Sequence, residues 1–190
     1  MKKVGIYGGT FDPIHHGHLL LAREAMEELG LDQVIFVLAA VSPHKAEHPR
    51  TEDRLRLQML TEAVAGEPHF SVDARELNRP PPSYTIDTIE SLRSEHPKTD
   101  LFYFLGDDNL PKLHTWHRYE QLRKMVTFVV LRRGDYTEES HPFLVIDRKI
   151  DISGTEIRKR VAGGCSIQYL VPPAVEKIIR QNNLYKEPAK

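Results

Sequence analysis

The 190-residue chain has only one cysteine, no long apolar run and no excess of charge of either sign. Each of these features excludes a class of protein. It contains one cysteine, Cys165, so an intramolecular disulfide is impossible and a zinc cage built from thiolates is not expected. No apolar run approaches the roughly 20 residues that cross a membrane, and no apolar signal segment precedes the first strand candidate. We therefore expect a cytoplasmic protein that has no membrane partner.

An excess of charge of either sign is also missing. The chain has 26 Lys and Arg against 27 Asp and Glu, which gives a formal net charge of -1. Such a balance argues against a nucleic-acid polymer as partner, although it is compatible with a local cationic pocket. Hydrophobic residues make up 40% of the chain and charged residues 28%, as in ordinary globular proteins. With no repeat or linker, we expect one domain over residues 1–190.

The densest group of chemistry-bearing residues is the stretch 8–19, which reads GGTFDPIHHGHL. A short apolar run precedes it and an amphipathic segment follows, so it is predicted to join a strand to a helix. Glycines let backbone N–H groups approach phosphate oxygens, and a helix N-terminus adds partial positive charge. His15 and His18 can both donate to a phosphate. The stretch predicts a nucleotide site; the alternative is an ordinary turn, since the G-x-G-x-x-G fingerprint is absent.

Apolar strand candidates alternate with amphipathic helix candidates along the whole chain. This alternation predicts an α/β fold, a Rossmann-like doubly wound parallel sheet of strand order 3-2-1-4-5, with a small C-terminal helical part. In that order the turn after the first strand lies beside Gly106-Asp107-Asp108, which follows the strand near residue 101. A nucleotide between these turns would bring its ribose within reach of Asp108. Two unrelated surface turns are the alternative.

A second anion-site candidate is the segment 152–158, ISGTEIR. Ser153 and Thr155 lie at a predicted helix start, where hydroxyls and unpaired N–H groups can bind phosphate. Arg158 follows one turn later and can form paired hydrogen bonds to phosphate oxygens. Taken alone, the segment is more typical of a helix capping box than of a phosphate site.

Both segments together resemble the HxGH nucleotidyltransferase superfamily, through G-G-T-F-D-P-x-H-x-G-H and I-S-x-T-x-I-R. Further matches, spread over almost the whole chain, look like the bacterial nicotinate-mononucleotide adenylyltransferases. That family joins ATP and nicotinate mononucleotide to form deamido-NAD and pyrophosphate, a step of NAD biosynthesis. The further matches are Ser42-Pro43-His44-Lys45, Pro82-Ser83-Tyr84-Thr85, Gly106-Asp107-Asp108, Trp116 and Leu170-Val171-Pro172.

The resemblance implies a set of site residues and partners. His15 and His18 would be catalytic, with Mg²⁺ held mainly by the ATP phosphates, and a homodimer would be in keeping with the family. Taken alone, Trp116 is better explained as a core residue, and its neighbours in 113–117 are what favour a site, whereas Lys45 is equally explained as a solvated lysine. ATP would be bound by Gly8, Gly9, Thr10, Phe11, Gly106, Asp108, Ser153, Thr155 and Arg158, and nicotinate mononucleotide by Lys45, Ser83, Tyr84, Thr85, Trp116 and Arg133.

The sequence departs from the family pattern at four places. The family usually has Pro at Ser42, Ala at Asp107, Ser at Gly154, and Arg-Pro-Gly where this chain has 133–135, Arg-Gly-Asp. Gly154 offers a backbone N–H but no hydroxyl to a phosphate. Asp107 adds a negative charge near an anionic ligand, and we expect its side chain to point away from that ligand.

Three other interpretations compete with this one. Pantetheine-phosphate adenylyltransferases and cytidylyltransferases share the nucleotide half, but the Pro-Ser-Tyr-Thr turn and Trp116 argue against them. A metallohydrolase using His16 and His18 as metal ligands would need further ligands on later strands and usually about 250 residues. A nucleotide-sensing module would bind ATP without turnover.

Overall fold

The computed structural model describes residues 1–40, 51–80, 82–132 and 142–186. Six strands form one sheet in the order β3-β2-β1-β4-β5-β6, and every neighbouring pair is parallel. The strands are β1 (Lys2–Gly9), β2 (Gln33–Leu38), β3 (Phe70–Asp73), β4 (Thr99–Gly106), β5 (Thr127–Arg132) and β6 (Leu144–Asp147).

Helices lie between successive strands from β1 to β5, and two α-helices follow β6. Two 3₁₀ helices are described: Arg75–Asn78 follows β3, and Asp107–Thr115 follows β4. The second contains Pro111, which lacks the N–H donor that an α-helix needs at that position. The α-helices are α1 (His16–Leu29), α2 (Asp53–Val64), α3 (Thr85–Glu95), α4 (Tyr119–Leu122), α5 (Gly154–Ala162) and α6 (Pro173–Gln181).

The sheet is buried on both faces, because its apolar strands send alternate side chains into two separate clusters. One cluster packs Tyr7 of β1 with Phe36 and Phe104 against helices α1, α2, α5 and α6. The other packs Ile6 with Leu105 against α3 and the 3₁₀ helix that follows β4. Parallel sheets need this double cover, and near-continuous apolar strands are its sequence signature.

The predicted order 3-2-1-4-5 is confirmed, and β6 extends the sheet by one strand beyond β5. Strand order reverses between β1 and β4, so the switch point lies where their carboxyl ends meet. β1 ends at Gly9 and β4 at Gly106. The two glycine turns therefore lie side by side, as the predicted strand order required.

Candidate active site

The first strand ends in the turn that the sequence singles out. β1 runs to Gly9 and α1 begins at His16, with His15 as the residue that flanks the helix start. Phe11 has a φ of 45°, in the left-handed region that ordinary residues rarely adopt. We call residues 8–18 the histidine turn. Its place at the switch point is where doubly wound sheets bind their ligands.

The rings of His15 and His18 stack, with centroids 3.7 Å apart and planes inclined by 26°. His15 is buried, whereas His18 is half-buried and meets the ring of Phe11 edge-on at 5.1 Å. The main-chain N–H of His15 donates to Nδ1 of His18 over 3.3 Å. Because Nδ1 accepts this bond, a neutral His18 ring carries its proton on Nε2. The local fold thus fixes both the orientation and the tautomer of His18.

Two glycines of the histidine turn are required by packing. A Cβ on Gly8 would lie 2.6 Å from the hydroxyl of Tyr103, and one on Gly17 would lie 3.0 Å from Nδ1 of His15. A Cβ contact of 2.6 Å is essentially never seen, and one of 3.0 Å is closer than most real Cβ contacts, so a larger residue would displace the phenol at Gly8 and press on the imidazole at Gly17. The sequence explained Gly8 by close approach of phosphate, but the structure adds the Tyr103 hydroxyl as a second reason.

The second anion-site candidate lies directly against the histidine turn. α5 begins just after Ser153, and one turn later Nη1 of Arg158 donates to the carbonyl oxygen of Asp12 over 2.6 Å. Nη2 of the same guanidinium donates to the Thr155 hydroxyl over 3.2 Å. Two segments 146 residues apart in sequence are therefore in direct contact. Their hydroxyls, imidazoles and guanidinium are the donor types that bind phosphate oxygens.

The start of α5 shows why the chain has Ser153 and Gly154 there. The Ser153 hydroxyl accepts the N–H of Glu156 over 3.2 Å, which is the capping role that the sequence left open. The proton of that hydroxyl can still be donated to a ligand. A Cβ on Gly154 would lie 3.2 Å from the Asp12 carbonyl oxygen, closer than ordinary contact. Glycine thus lets α5 approach the histidine turn, and a serine here would push the two apart slightly.

The two aspartates after β4 have different surroundings. Asp107 is buried, and its Oδ1 accepts the N–H of Asp108 over 3.1 Å. Asp108 is exposed, and its Oδ1 accepts from the side-chain amide of Asn109 over 3.0 Å. The expectation that Asp107 points away from an anionic ligand stays a prediction. The exposed carboxylate of Asp108 belongs to the turn that adjoins the end of β1.

Tyr103 connects the histidine turn to the other side of the cleft. Its hydroxyl, which packs over Gly8, also lies 3.4 Å from Oγ1 of Thr85 at the start of α3. Its ring meets the indole of Trp116 edge-on, with centroids 5.8 Å apart. Burial raises the pKa of Tyr103 to about 12. The sequence did not mark this residue, since a tyrosine in an apolar strand carries no distinctive signal.

Trp116 is one of the acceptor-side candidates that the structure describes. This side chain is half-buried and packs at the edge of a core cluster, so part of the indole is accessible. Beside it, the rings of Tyr84 and His117 stack with centroids 4.3 Å apart. The next residue, Arg118, binds both carboxylate oxygens of Glu90 on α3, at 3.0 and 2.6 Å. The aromatic group is thereby fixed to the helix that begins at the Ser83-Tyr84-Thr85 turn.

A buried carboxylate lies behind the start of α3. Glu76 accepts the hydroxyl of Thr88 over 2.7 Å, and Arg79 donates to the same hydroxyl over 2.9 Å. Burial raises the pKa of Glu76, while the hydrogen bond from Thr88 works in the opposite direction. This cluster joins the 3₁₀ helix Arg75–Asn78 to α3 and supports the turn that carries Ser83.

Sequence reasoning also missed a fully buried arginine beneath the histidine turn. Nη1 of Arg56 donates to the carbonyl oxygens of Thr10 and Ala39, over 2.7 and 2.9 Å. This cation therefore joins the end of β2 to the residue that follows β1. A signal was present, because Arg56 shares the helix face of Met59 and Leu60, where a solvated arginine would not be placed.

Two predicted site residues, Lys45 and Arg133, lie outside the described residues, as does Ser42. Within the described ranges, no group of three or more His, Cys, Asp or Glu side chains is arranged to hold a metal ion. In the same ranges, no helix combines the length and the apolar character that crossing a membrane requires.

A doubly wound sheet with phosphate-type donors at its switch point defines the class of nucleotide-binding α/β proteins. Comparison with known proteins identifies the family within this class. The family model for cytidylyltransferase-like proteins matches residues 6–160, from the middle of β1 to near the end of α5. The chain belongs to this family, and its relatives place it in the branch of the nicotinate-nucleotide adenylyltransferases.

Those relatives match over nearly the whole chain. The nicotinate-nucleotide adenylyltransferase of Bacillus subtilis is 37% identical over 188 residues, covering 98% of this chain and all of the relative. The probable nicotinate-nucleotide adenylyltransferase of Thermus thermophilus is 43% identical over 187 residues, covering 97% of this chain and all of the relative.

Solved structures agree on the fold. The Plasmodium falciparum nicotinic acid mononucleotide adenylyltransferase complexed with NaAD superposes with a TM-score of 0.81 at 22% identity. The match covers 97% of this chain and 98% of that one. The same enzyme complexed with APC gives a TM-score of 0.78.

Proposed function

We propose that this chain carries out the reaction of its branch of the family, transfer of the adenylyl group of ATP to nicotinate mononucleotide. The products are deamido-NAD and pyrophosphate, a step of NAD biosynthesis. The names of the relatives supply the reaction. The observation that carries the proposal for the site is the contact of Arg158 with the main chain of Asp12, because it unites the two phosphate-binding segments.

His18 is the proposed donor to the reacting phosphate. A phosphate oxygen of the mononucleotide attacks the α-phosphorus of ATP in line; the new P–O bond forms as the bond to the β-phosphate oxygen breaks. Such a reaction mainly needs alignment of two anions and neutralisation of the developing charge. The bond from the His15 main chain to Nδ1 leaves Nε2 as the donor atom of His18. The stacked ring of His15 would hold His18 in place and add a second donor.

The triphosphate would be bound by both segments at once. Arg158 would supply the positive charge. Its guanidinium donates to the Asp12 carbonyl oxygen and to the Thr155 hydroxyl, and both of these partners are neutral. The start of α5 contributes N–H groups and a helix dipole of the sign that attracts phosphate. The proposed ATP-binding set is Gly8, Gly9, Thr10, Phe11, Gly106, Asp108, Ser153, Thr155 and Arg158.

Mg²⁺ is proposed to be held mainly by the phosphates of ATP. The donor groups of the histidine turn and of Arg158 fit this arrangement, because imidazole, hydroxyl and guanidinium groups contact phosphate oxygens and leave the cation to them. The one carboxylate of the turn, Asp12, accepts hydrogen bonds from Tyr185 and from the Thr51 N–H. Mg²⁺ retains waters and phosphate oxygens readily, and when bound it would offset the charge of the leaving pyrophosphate.

The mononucleotide is proposed to occupy the opposite side of the cleft. Its pyridine ring would stack on the accessible part of Trp116, since an aromatic platform suits a flat, electron-poor ring. Backbone N–H groups at the start of α3, in the turn of Ser83, Tyr84 and Thr85, would bind its carboxylate. Lys45 and Arg133 stay predictions for this substrate. So do a single domain over 1–190 and a homodimer.

One assay separates the candidate functions. Purified protein with ATP and Mg²⁺ is offered nicotinate mononucleotide, nicotinamide mononucleotide or phosphopantetheine, and pyrophosphate release is measured. We expect the fastest release with nicotinate mononucleotide. Fastest release with phosphopantetheine would assign the chain to a different branch of the family, and ATP binding without release for any acceptor would indicate a sensor.

A further inference from the structure

The Asp12 carboxylate is the centre of a hydrogen-bond network that reaches the C-terminal end of the described chain. It is 8% exposed, and the phenol of Tyr185 donates to its Oδ1 over 2.6 Å. The main-chain N–H of Thr51 donates to its Oδ2 over 3.3 Å. The Thr51 hydroxyl in turn donates to the Tyr185 oxygen over 3.1 Å. Three segments far apart in sequence thus close a ring of hydrogen bonds around one carboxylate.

Tyr185 is held in this position against its backbone preference. Its φ is 61°, in the left-handed region that a non-glycine residue adopts only at a cost in free energy. Its hydroxyl uses both its donor and its acceptor capacity within the network. Burial and the neighbouring Asp12 carboxylate raise the pKa of Tyr185, so the phenol keeps its proton at any physiological pH.

The network bears on the residues proposed to contact ATP. The carbonyl oxygen of Asp12 accepts from Arg158 over 2.6 Å, and the backbone at Gly154 approaches the same oxygen closely. His15 and His18 follow Asp12 by three and six residues in the same turn. A shift of Asp12 would therefore move both the imidazoles and the guanidinium, which have to align on a single triphosphate.

We propose that Tyr185 is a positioning residue for adenylyl transfer: its phenol orients Asp12 and so sets the histidine turn and Arg158 relative to each other. The inference rests on the proposed function of that site. Because a misplacement of about 1 Å can cost two orders of magnitude in rate, loss of one hydrogen bond at this point is expected to show in turnover.

The first test is Tyr185→Phe, which keeps the ring and the backbone conformation and removes only the hydroxyl. We expect kcat to fall roughly tenfold, the scale of one hydrogen bond to a charged group, while KM for nicotinate mononucleotide stays within about twofold. Tyr169→Phe is the matched control. Tyr169 also has a positive φ, of 68°, but it is 81% exposed, so its variant is expected to match the wild type.

A second variant separates positioning from simple loss of stability. Thr51→Val removes the hydroxyl that donates to Tyr185 but keeps the N–H that donates to Asp12. We expect it to lower kcat by about twofold to threefold. The double variant Tyr185→Phe, Thr51→Val is expected to be no slower than Tyr185→Phe alone, since the Thr51 hydroxyl acts through the phenol.

The readout independent of activity is the ¹⁵N chemical shift of the His18 ring by NMR, without nucleotide. We expect it to move in Tyr185→Phe and to stay unchanged in Tyr169→Phe. Kinetics are measured at two temperatures below the onset of melting. A kcat within twofold of wild type, an unmoved His18 signal, or recovery of full turnover at the lower temperature would overturn the inference. Failure of the proposed function is distinguishable, because the wild-type protein itself would then release no pyrophosphate.

Discussion

The two sides of the cleft are built in different ways. The histidine turn is held by polar contacts from distant parts of the chain, with Arg158 lying 146 residues and Tyr185 lying 173 residues from Asp12. The acceptor side is held by nearer neighbours, through the rings of Tyr103 and Trp116 and the ion pair of Arg118 with α3. A triphosphate needs donors fixed from several directions, whereas a flat ring needs one aromatic face.

Because the two sides are built differently, substitutions in each side should affect different kinetic quantities. When a polar network around buried groups loses one donor, the remaining groups stay buried without that hydrogen bond. The effect of a single substitution is therefore large. An aromatic platform distributes its contribution over many weak contacts, so its loss weakens binding of one substrate. The nucleotide side should therefore respond in turnover and the acceptor side in affinity.

The largest effect is expected for His18→Ala. Removal of one preorganised donor to developing charge costs roughly 3–4 kcal/mol, so kcat should fall about a hundredfold or more. The measurement is steady-state pyrophosphate release together with thermal melting, which should show a folded protein. His16→Ala is the matched control, because its ring belongs to the same turn but not to the proposed site. Turnover within a few-fold of wild type in His18→Ala would remove His18 from the mechanism.

The acceptor side is tested by Trp116→Ala. Stacking of a ring on an aromatic side chain contributes roughly 1–3 kcal/mol, so KM for nicotinate mononucleotide should rise about tenfold or more. KM for ATP should change by less than about twofold, because the ring of Trp116 packs edge-on against Tyr103 and Trp116 is not among the residues proposed to bind ATP. Trp116→Phe should restore much of the affinity. A rise in KM for ATP instead would contradict the assignment of the two sides.

Much of this fold could be predicted from the sequence, for identifiable physical reasons. Buried parallel strands are near-continuous apolar runs, so β2 and β4 could be predicted, and connection rules limited their order. Edge strand β6 has only four residues, which is a weak signal. The 3₁₀ helix after β4 begins at the turn that buries Asp107, which depends on tertiary packing that no local pattern records.

The site was predictable only where its residues form a local pattern. His15, His18 and Arg158 stand in motifs, and hydrogen-bonding chemistry explains their presence. Tyr103 and Tyr185 act through contacts with residues far along the chain, which no local pattern records. Asp12 lies inside the first motif, yet its role depends on a phenol 173 residues away. Tertiary packing alone brings these groups together.

The smallest effect concerns Tyr103, the residue shared by both sides of the cleft. Its pKa is raised to about 12 in the folded protein, against 10 for an ordinary tyrosine. A group whose folded pKa lies above its unfolded pKa contributes stability that is fully present below the unfolded value and is lost as pH rises through the folded one. The free energy of unfolding should therefore decline between about pH 10 and pH 12 through this residue.

Tyr103→Phe removes that contribution while keeping the ring against Trp116 and Phe128. Urea unfolding of both proteins at pH 8 and pH 11 gives the comparison. By linkage the wild type should lose about 1 kcal/mol more than the variant between these two pH values. Other tyrosines and the lysines titrate equally in both proteins and cancel in the difference. If the wild type and the variant lost the same stability between these pH values, the Tyr103 phenol would ionise as freely in the folded protein as in the unfolded chain. The hydroxyl over Gly8, which connects the two sides of the cleft, would then be open to solvent.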